Sequence, residues 1–320
     1  MVTNEQSIDE CIDEYINLSR QVFDVDQVLK GVIPIGDNQC RFDYKQLEGA
    51  IKYIVAKKLG NDNEPMASSD SNGTRNVPTF VVATKGLRAE GPPTLFRSYQ
   101  CQGHDANQCA IWEAGRATSA APTFFAPIEI AIPKPGCTFV DGGLGHNNPA
   151  ELALSEAEKI WPKASRFCLV SVGTGRPGSI RVAESTSLAS KPKMSGIISN
   201  ALALIPGVAS VTKYSKIGTR TPGGLIAMKN IAEACVQLAT SSDPVHRRLF
   251  QQSQSPDLQK KFPYHRFNVD RDMQDIGLEE WGKMKEIRTH TDAYMEEGEG
   301  VLRKNNCVQD LMNLQPMECK

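Results

Sequence analysis

A chain of 320 residues, 40% hydrophobic and 23% charged, is long enough for one large core or two ordinary ones. Its net charge of −1 offers no bulk attraction for nucleic acid or an anionic membrane, and no uninterrupted apolar run reaches membrane-spanning length. Nine cysteines without paired spacing, and no N-terminal apolar leader, point to reduced thiols in the cytoplasm rather than a disulfide framework.

Apolar positions Ile8, Cys11, Ile12, Tyr15, Ile16 and Phe23 recur at helical spacing within 5–30, and Leu47, Ile51, Ile54 and Val55 mark a second helix. The polar stretch 61–76 reads as a mobile surface loop with one Met. VPTFVVAT (77–84) and LFRSYQ (95–100) are strand-like, and CAIWEAGRATSAA (109–121) is a helix stopped by Pro122. CTFV (137–140) is a strand, followed by a helix over 149–161 with Asn148 as N-cap, Pro149 in its first turn and Glu151 completing a capping box. RFCLVSVG (166–173) predicts a buried strand, 178–195 a polar loop, 197–211 a core helix that could also touch acyl chains, and YHRFNV (264–269) a late strand. Leu278, Trp281, Met284, Ile287 and Tyr294 mark a final amphipathic helix. Alternating helices and strands argue for an α/β fold with a layered sheet.

Within this frame, VDGGLGHNNPAELAL (140–154) places a carboxylate, Asp141, at the end of an apolar strand. Ligands of open α/β sheets bind at such strand ends, and Gly142 and Gly143 turn the backbone sharply while leaving space beside the carboxylate. An aspartate so placed can take a proton from a hydroxyl nucleophile, although Asp-Gly is also ordinary turn chemistry.

Three stretches tip that balance: IWEAGRATSAAPTFFAP (111–127), VDGGLGHNNPAELAL (140–154) and SVGTG (171–175). Together they resemble the patatin-like phospholipases, in a fungal-style variant, with weaker similarity in IDECIDEYINLSRQVF and HRFNVDRD. The resemblance implies a layered α/β sheet with helices on both faces. It implies hydrolysis of lipid acyl esters by a Ser-Asp dyad, with Asp141 as base and Gly142 and Gly143 completing its motif. It implies no cofactor and no metal.

The family's serine stands in a G-x-S-x-G elbow. No two of the 25 glycines here stand four positions apart, so these residues contain no such pattern. Ala117-Thr118-Ser119-Ala120-Ala121 imitates it, but Ser119 lies late in a helical segment and reads as a packing residue. No glycine-rich oxyanion loop precedes Asp141. The expectation is therefore the later part of a patatin-like domain, lacking the N-terminal part of the fold. A partial catalytic domain would occupy 1–154, the remainder of the α/β fold 155–275, and a C-terminal helical segment 276–320. Such a chain keeps the base without the nucleophile and is inactive alone. Its expected partners are a lipid or acyl-ester substrate, a membrane surface touched peripherally and, through an exposed sheet edge, other copies of itself. A lipid-binding or regulatory pseudoenzyme, or a plain interaction domain, is the alternative.

Other patterns say less. Cys101, His104 and Cys109 are zinc-type residues at irregular spacing without a clear fourth partner. Gly173-Thr174-Gly175-Arg176-Pro177-Gly178 spells a dinucleotide-like pattern, yet no clear helix follows it. His146 reads as a solvated loop histidine, and Lys57-Lys58 and Lys260-Lys261 as solvated charges.

Overall fold

The computed structural model describes residues 7–23, 40–67, 77–86, 91–100, 109–122, 124–131, 136–175, 240–269, 273 and 276–314. The expected loop at 178–195 and helix at 197–211 lie outside these residues. The described residues divide into two units, one holding those up to 146 together with 240, the other holding the remainder from 147 to 175 and from 241 to 314.

In the first unit, helix α1 (Ile8–Val22) starts with a reciprocal cap. The Ser7 hydroxyl accepts the Glu10 N–H and the Glu10 carboxylate accepts the Ser7 N–H, both at 3.2 Å. Helix α2 (Tyr44–Leu59) starts where Asp43 accepts the Lys45 N–H and stops at Gly60, whose φ of 79° an L side chain resists. Strands β1 (Phe80–Lys85), β2 (Thr94–Arg97), β3 (Ile128–Ile130) and β4 (Cys137–Asp141) form a sheet in the order β2-β1-β4-β3. Every pairing in it is antiparallel; Ala83 stands opposite Asp141, and Ile128 opposite Phe139.

Helix α3 (Ile111–Thr118) packs on this sheet. Ala114 and Ala117 join Ala83, Phe96, Ile130 and Phe139 in the core, where Phe96 meets Phe139 edge-on at 5.2 Å. The helix ends short of Pro122 because the next carbonyls are taken elsewhere: Ala120 by the Asp141 N–H, Ala121 by those of Phe124 and Phe125. Met66 corrects the surface-loop reading of 61–76. It is buried in this core, and its N–H donates to Cys109, beside a bridge between Pro65 and Ala110.

Arg116 is 1% exposed. Its Nη2 donates to the Ala126 carbonyl, and its guanidinium lies over the Tyr44 and Phe125 rings at 5.4 and 5.8 Å. Its Nε and Nη1 have no partner among the described residues, and burial holds its pKa below the usual arginine value. The aromatic faces offset part of the cost of burying the charge.

The second unit is built around a two-stranded parallel sheet, β5 (Leu169–Val172) beside β6 (Tyr264–Phe267). Its helices are α4 (Ala150–Ile160), α5 (Asp243–Ser253), α6 (Pro256–Lys261), α7 (Met284–Glu296) and α8 (Gly298–Met312). Strand β5 is not the buried strand expected. Val170 and Val172 are 42% and 77% exposed, whereas Ser171 is buried. The inversion has a polar cause: the Ser171 hydroxyl accepts from Arg266 Nη1 at 2.7 Å and donates to Asn148 Oδ1 at 3.1 Å.

Asn148 also corrects the capping box. The N-cap is Pro149, one residue later than expected, and Glu151 does not reach back; Asn148, just outside the helix, still accepts the Ala150 N–H on its Oδ1 at 3.2 Å. Arg248 holds Glu151 instead, through two bonds of 2.8 Å. The amphipathic helix over 284–296 is not final either: α8 follows it across Glu297, and Gly298 adopts φ 58° at the junction. No described helix is long and apolar enough to cross a membrane.

Candidate active site around Asp141

Strand β4 buries Phe139 and Val140 and delivers Asp141 at its end, partly buried. Three contacts fix the residue. Its N–H donates to the Ala120 carbonyl at 3.0 Å. Its Oδ1 accepts the Gly143 N–H at 2.6 Å. Its neighbour Gly142 lies so close to β1 that a Cβ there would stand 2.3 Å from the Val82 carbonyl oxygen. Threonines lock the surroundings: Thr118 Oγ1 donates to Val82 O at 2.6 Å, and Thr84 Oγ1 to Leu144 O at 3.2 Å. After Gly142 the chain makes one irregular turn, Gly143–His146, broken at Leu144 and at Gly145, which has φ 95°.

Burial pushes the Asp141 carboxyl above its usual range, and the Gly143 N–H draws it partly back. One carboxylate oxygen is committed to that N–H. The other has no hydrogen bond among the described residues, so it can accept a proton from an approaching hydroxyl.

An apolar cavity of about 250 Å³ lies in the same unit, lined by Leu18, Ile51, Ile54, Val55, Thr118 and Ser119 among others. The end of α3 serves both features: Thr118 and Ser119 line the cavity, and Ala120 holds the Asp141 backbone. No hydrogen bond joins Ser119 to Asp141 among the described residues. Ser119 is the C-cap of α3 and lines the cavity.

His146 is not the solvated histidine expected. It is partly buried, its Nδ1 has no partner among the described residues, and burial holds its pKa below the usual value. Cys101 and His104 lie outside the described residues. Cys109 is buried in the apolar core, where burial and then Glu113 push its thiol up to about 12. In the glycine pattern at 173–178, Asn268 fills the turn. Its Oδ1 accepts the Gly175 N–H at 2.9 Å, and a Cβ on Gly173 would meet that oxygen at 2.1 Å. The turn thus holds a side chain where a dinucleotide site needs open space. Lys57 pairs with Glu14, and Lys261 with Glu158. Sequence reasoning missed Arg116; its one signal is a lone cation in an Ala-rich helix.

A model of the family described as patatin-like phospholipase matches residues 1–154. Residues 1–154 carry the likeness to that family. The patatin-like segment therefore contains Asp141, both glycines after it and the end of α3. Calcium-independent phospholipase A2-gamma of Rattus norvegicus is 32% identical over 203 residues, covering 61% of this chain and 24% of that protein. Phospholipase A I of Arabidopsis thaliana is 29% identical over 224 residues, 53% of this chain and 16% of that protein. The cGAMP-activated phospholipase of Vibrio cholerae is 28% identical over 140 residues, 38% of each. The chain spans about a quarter of the length of the mammalian relatives it matches.

Proposed function

We propose that this chain carries the base half of a lipid acyl-ester hydrolase, with Asp141 taking the proton of a serine hydroxyl and the apolar cavity taking an acyl chain. The observation that carries the reading is the Asp141 carboxylate, at a strand end in the patatin-like segment, one oxygen held and the other open to a hydroxyl. The three relatives named above are phospholipases, which supports the substrate class. A hydroxyl-carboxylate pair forms an acyl-enzyme without a metal or cofactor. The nucleophile is proposed to come from a G-x-S-x-G elbow outside these 320 residues, so that the chain alone turns over acyl esters at background rate.

The test joins a segment carrying such an elbow and its glycine-rich loop to this chain and measures fatty acyl ester hydrolysis. Activity should appear, climb with pH through the raised Asp141 value, and vanish in Asp141→Asn, which keeps the size but cannot take the proton. Saturable turnover by the chain alone, abolished by Ser119→Ala, would overturn the assignment of the nucleophile.

The same reading has the protein touch lipid surfaces peripherally from the cytoplasmic side and self-associate through an open strand edge. Strand β5, paired on one side only among the described residues, supports the second point, and light scattering of the purified chain tests it.

A further inference from the structure

In the second unit three ligand-type side chains converge from elements far apart in sequence. Cys168 directly precedes β5, His265 lies in β6 and Cys307 in α8. Their two sulfur atoms and a ring nitrogen all lie within 4.8 Å of one another. The fold sets this convergence. Parallel pairing places Leu169 opposite Tyr264 and Val170 opposite His265, and α8 packs along β6. Cys307 and His265 are buried and Cys168 is partly so.

A second layer orients the histidine. His265 Nε2 lies 3.0 Å from Asp310 Oδ2, and Arg166 Nη2 donates to Asp310 Oδ1 at 2.7 Å. Asp310 stands three residues along α8 from Cys307 and so shares its face. An ionised carboxylate only accepts, so Nε2 carries the ring proton and Nδ1 keeps the lone pair. Histidines that ligate a metal almost always donate their other ring N–H to such a carboxylate, to a carbonyl or to water.

We propose that Cys168, His265 and Cys307 bind one divalent ion of zinc type, with Asp310 as the residue that positions His265 and a water completing the tetrahedron. Two thiolates and an imidazole suit zinc and disfavour calcium or magnesium, which take oxygen ligands. The size fits: the centre of a triangle with 4.8 Å sides is about 2.8 Å from each corner, about half an ångström beyond a Zn–S bond. The charge fits as well. Two thiolates neutralise the ion, and Arg166 neutralises Asp310, so no net charge enters a half-buried site. The ion would tie α8 to the β5–β6 sheet. This assignment is independent of the hydrolytic reading.

The experiment uses the full chain, purified under reductant, stripped of metal and titrated with cobalt(II). One equivalent should give the thiolate-to-cobalt charge-transfer band and the intense visible bands of a tetrahedral site. Zinc should displace cobalt and raise the melting temperature saturably, whereas calcium and magnesium should not. Cys168→Ser should abolish the charge-transfer band or weaken binding at least tenfold, and the exposed Cys11→Ser should change nothing. Asp310→Asn should keep the band and weaken binding about 10–100-fold. Because Cys307 is buried and its replacement could unfold the protein, Cys168→Ser is the deciding variant, with far-ultraviolet circular dichroism recorded on the same sample. A folded protein that gives no band, a Cys168→Ser protein whose band and affinity are both unchanged, or a Cys168–Cys307 disulfide in protein kept under reductant would overturn the site.

Discussion

The two units bury different things. The first fills its interior with Phe96, Ile130, Phe139 and small alanines, and its most deeply buried cation, Arg116, lies against aromatic rings. The second threads its interior with polar groups: Asn148 bonds Ser171, Ser171 bonds Arg266 and Arg266 bonds Ser242, while valines of the same sheet face outward. Apolar packing is graded, so a lost methyl group costs its own share. A buried polar network is closer to all-or-none, because removing one member strands the others. The catalytic carboxylate proposed here stands on the graded kind of scaffold, the proposed metal ligands on the other.

The strongest way to break that contrast is Gly142→Ala. The first unit cannot take added volume where backbone meets backbone, and the new Cβ would stand 2.3 Å from the Val82 oxygen. The loss should be about 3 kcal/mol, read as a lower urea midpoint at unchanged slope. Next comes Asn148→Ala in the second unit. It removes the acceptor of both the Ala150 N–H and the Ser171 hydroxyl, and should cost about 2 kcal/mol. A cost below that of an isolated cap would mean that the network is not cooperative.

Arg116→Met sharpens the comparison from the other side. It deletes a buried charge with two unpartnered nitrogens and keeps a long apolar stem, so stability should hold or rise by about 1 kcal/mol. Arg116→Ala, which leaves a cavity, should lose stability in the same denaturant titration. Asp141→Asn gives the smallest change, with a sign set by linkage. Burial raises the folded-state pKa, so the ionised carboxylate weakens folding as pH rises through that value. The Asn variant should therefore melt higher than the parent near neutral pH. Calorimetry should show the difference closing below about pH 4, where the unfolded carboxyl is protonated as well.

Features with nearby causes were legible in the sequence. Asp141, Gly142 and Gly143 stand out because a strand end and its turn are encoded in adjacent residues. The bond from the Ala150 N–H to Asn148 Oδ1 was legible for the same reason, since it spans two residues, although the helix starts one residue later than expected. The capping box failed because Arg248, remote in the chain, holds Glu151. The face of β5 was misread because Arg266 draws Ser171 inward, and nothing within the strand announces that partner. Strand β3 has three residues, too few for a period to show. Cys168, His265 and Cys307 carry no spacing signal at all; strand pairing and α8 bring them together.

Gly142 separates two kinds of inheritance. The Val82 carbonyl forbids a side chain at that position whether or not any ester is ever cleaved. A descendant in which hydrolysis had lapsed would remain under the same steric demand there, while position 141 drifted toward an uncharged residue that folds more easily. Among such lineages the glycine would record ancestry of the fold. The carboxylate beside it, kept against a cost in stability, would record continued use.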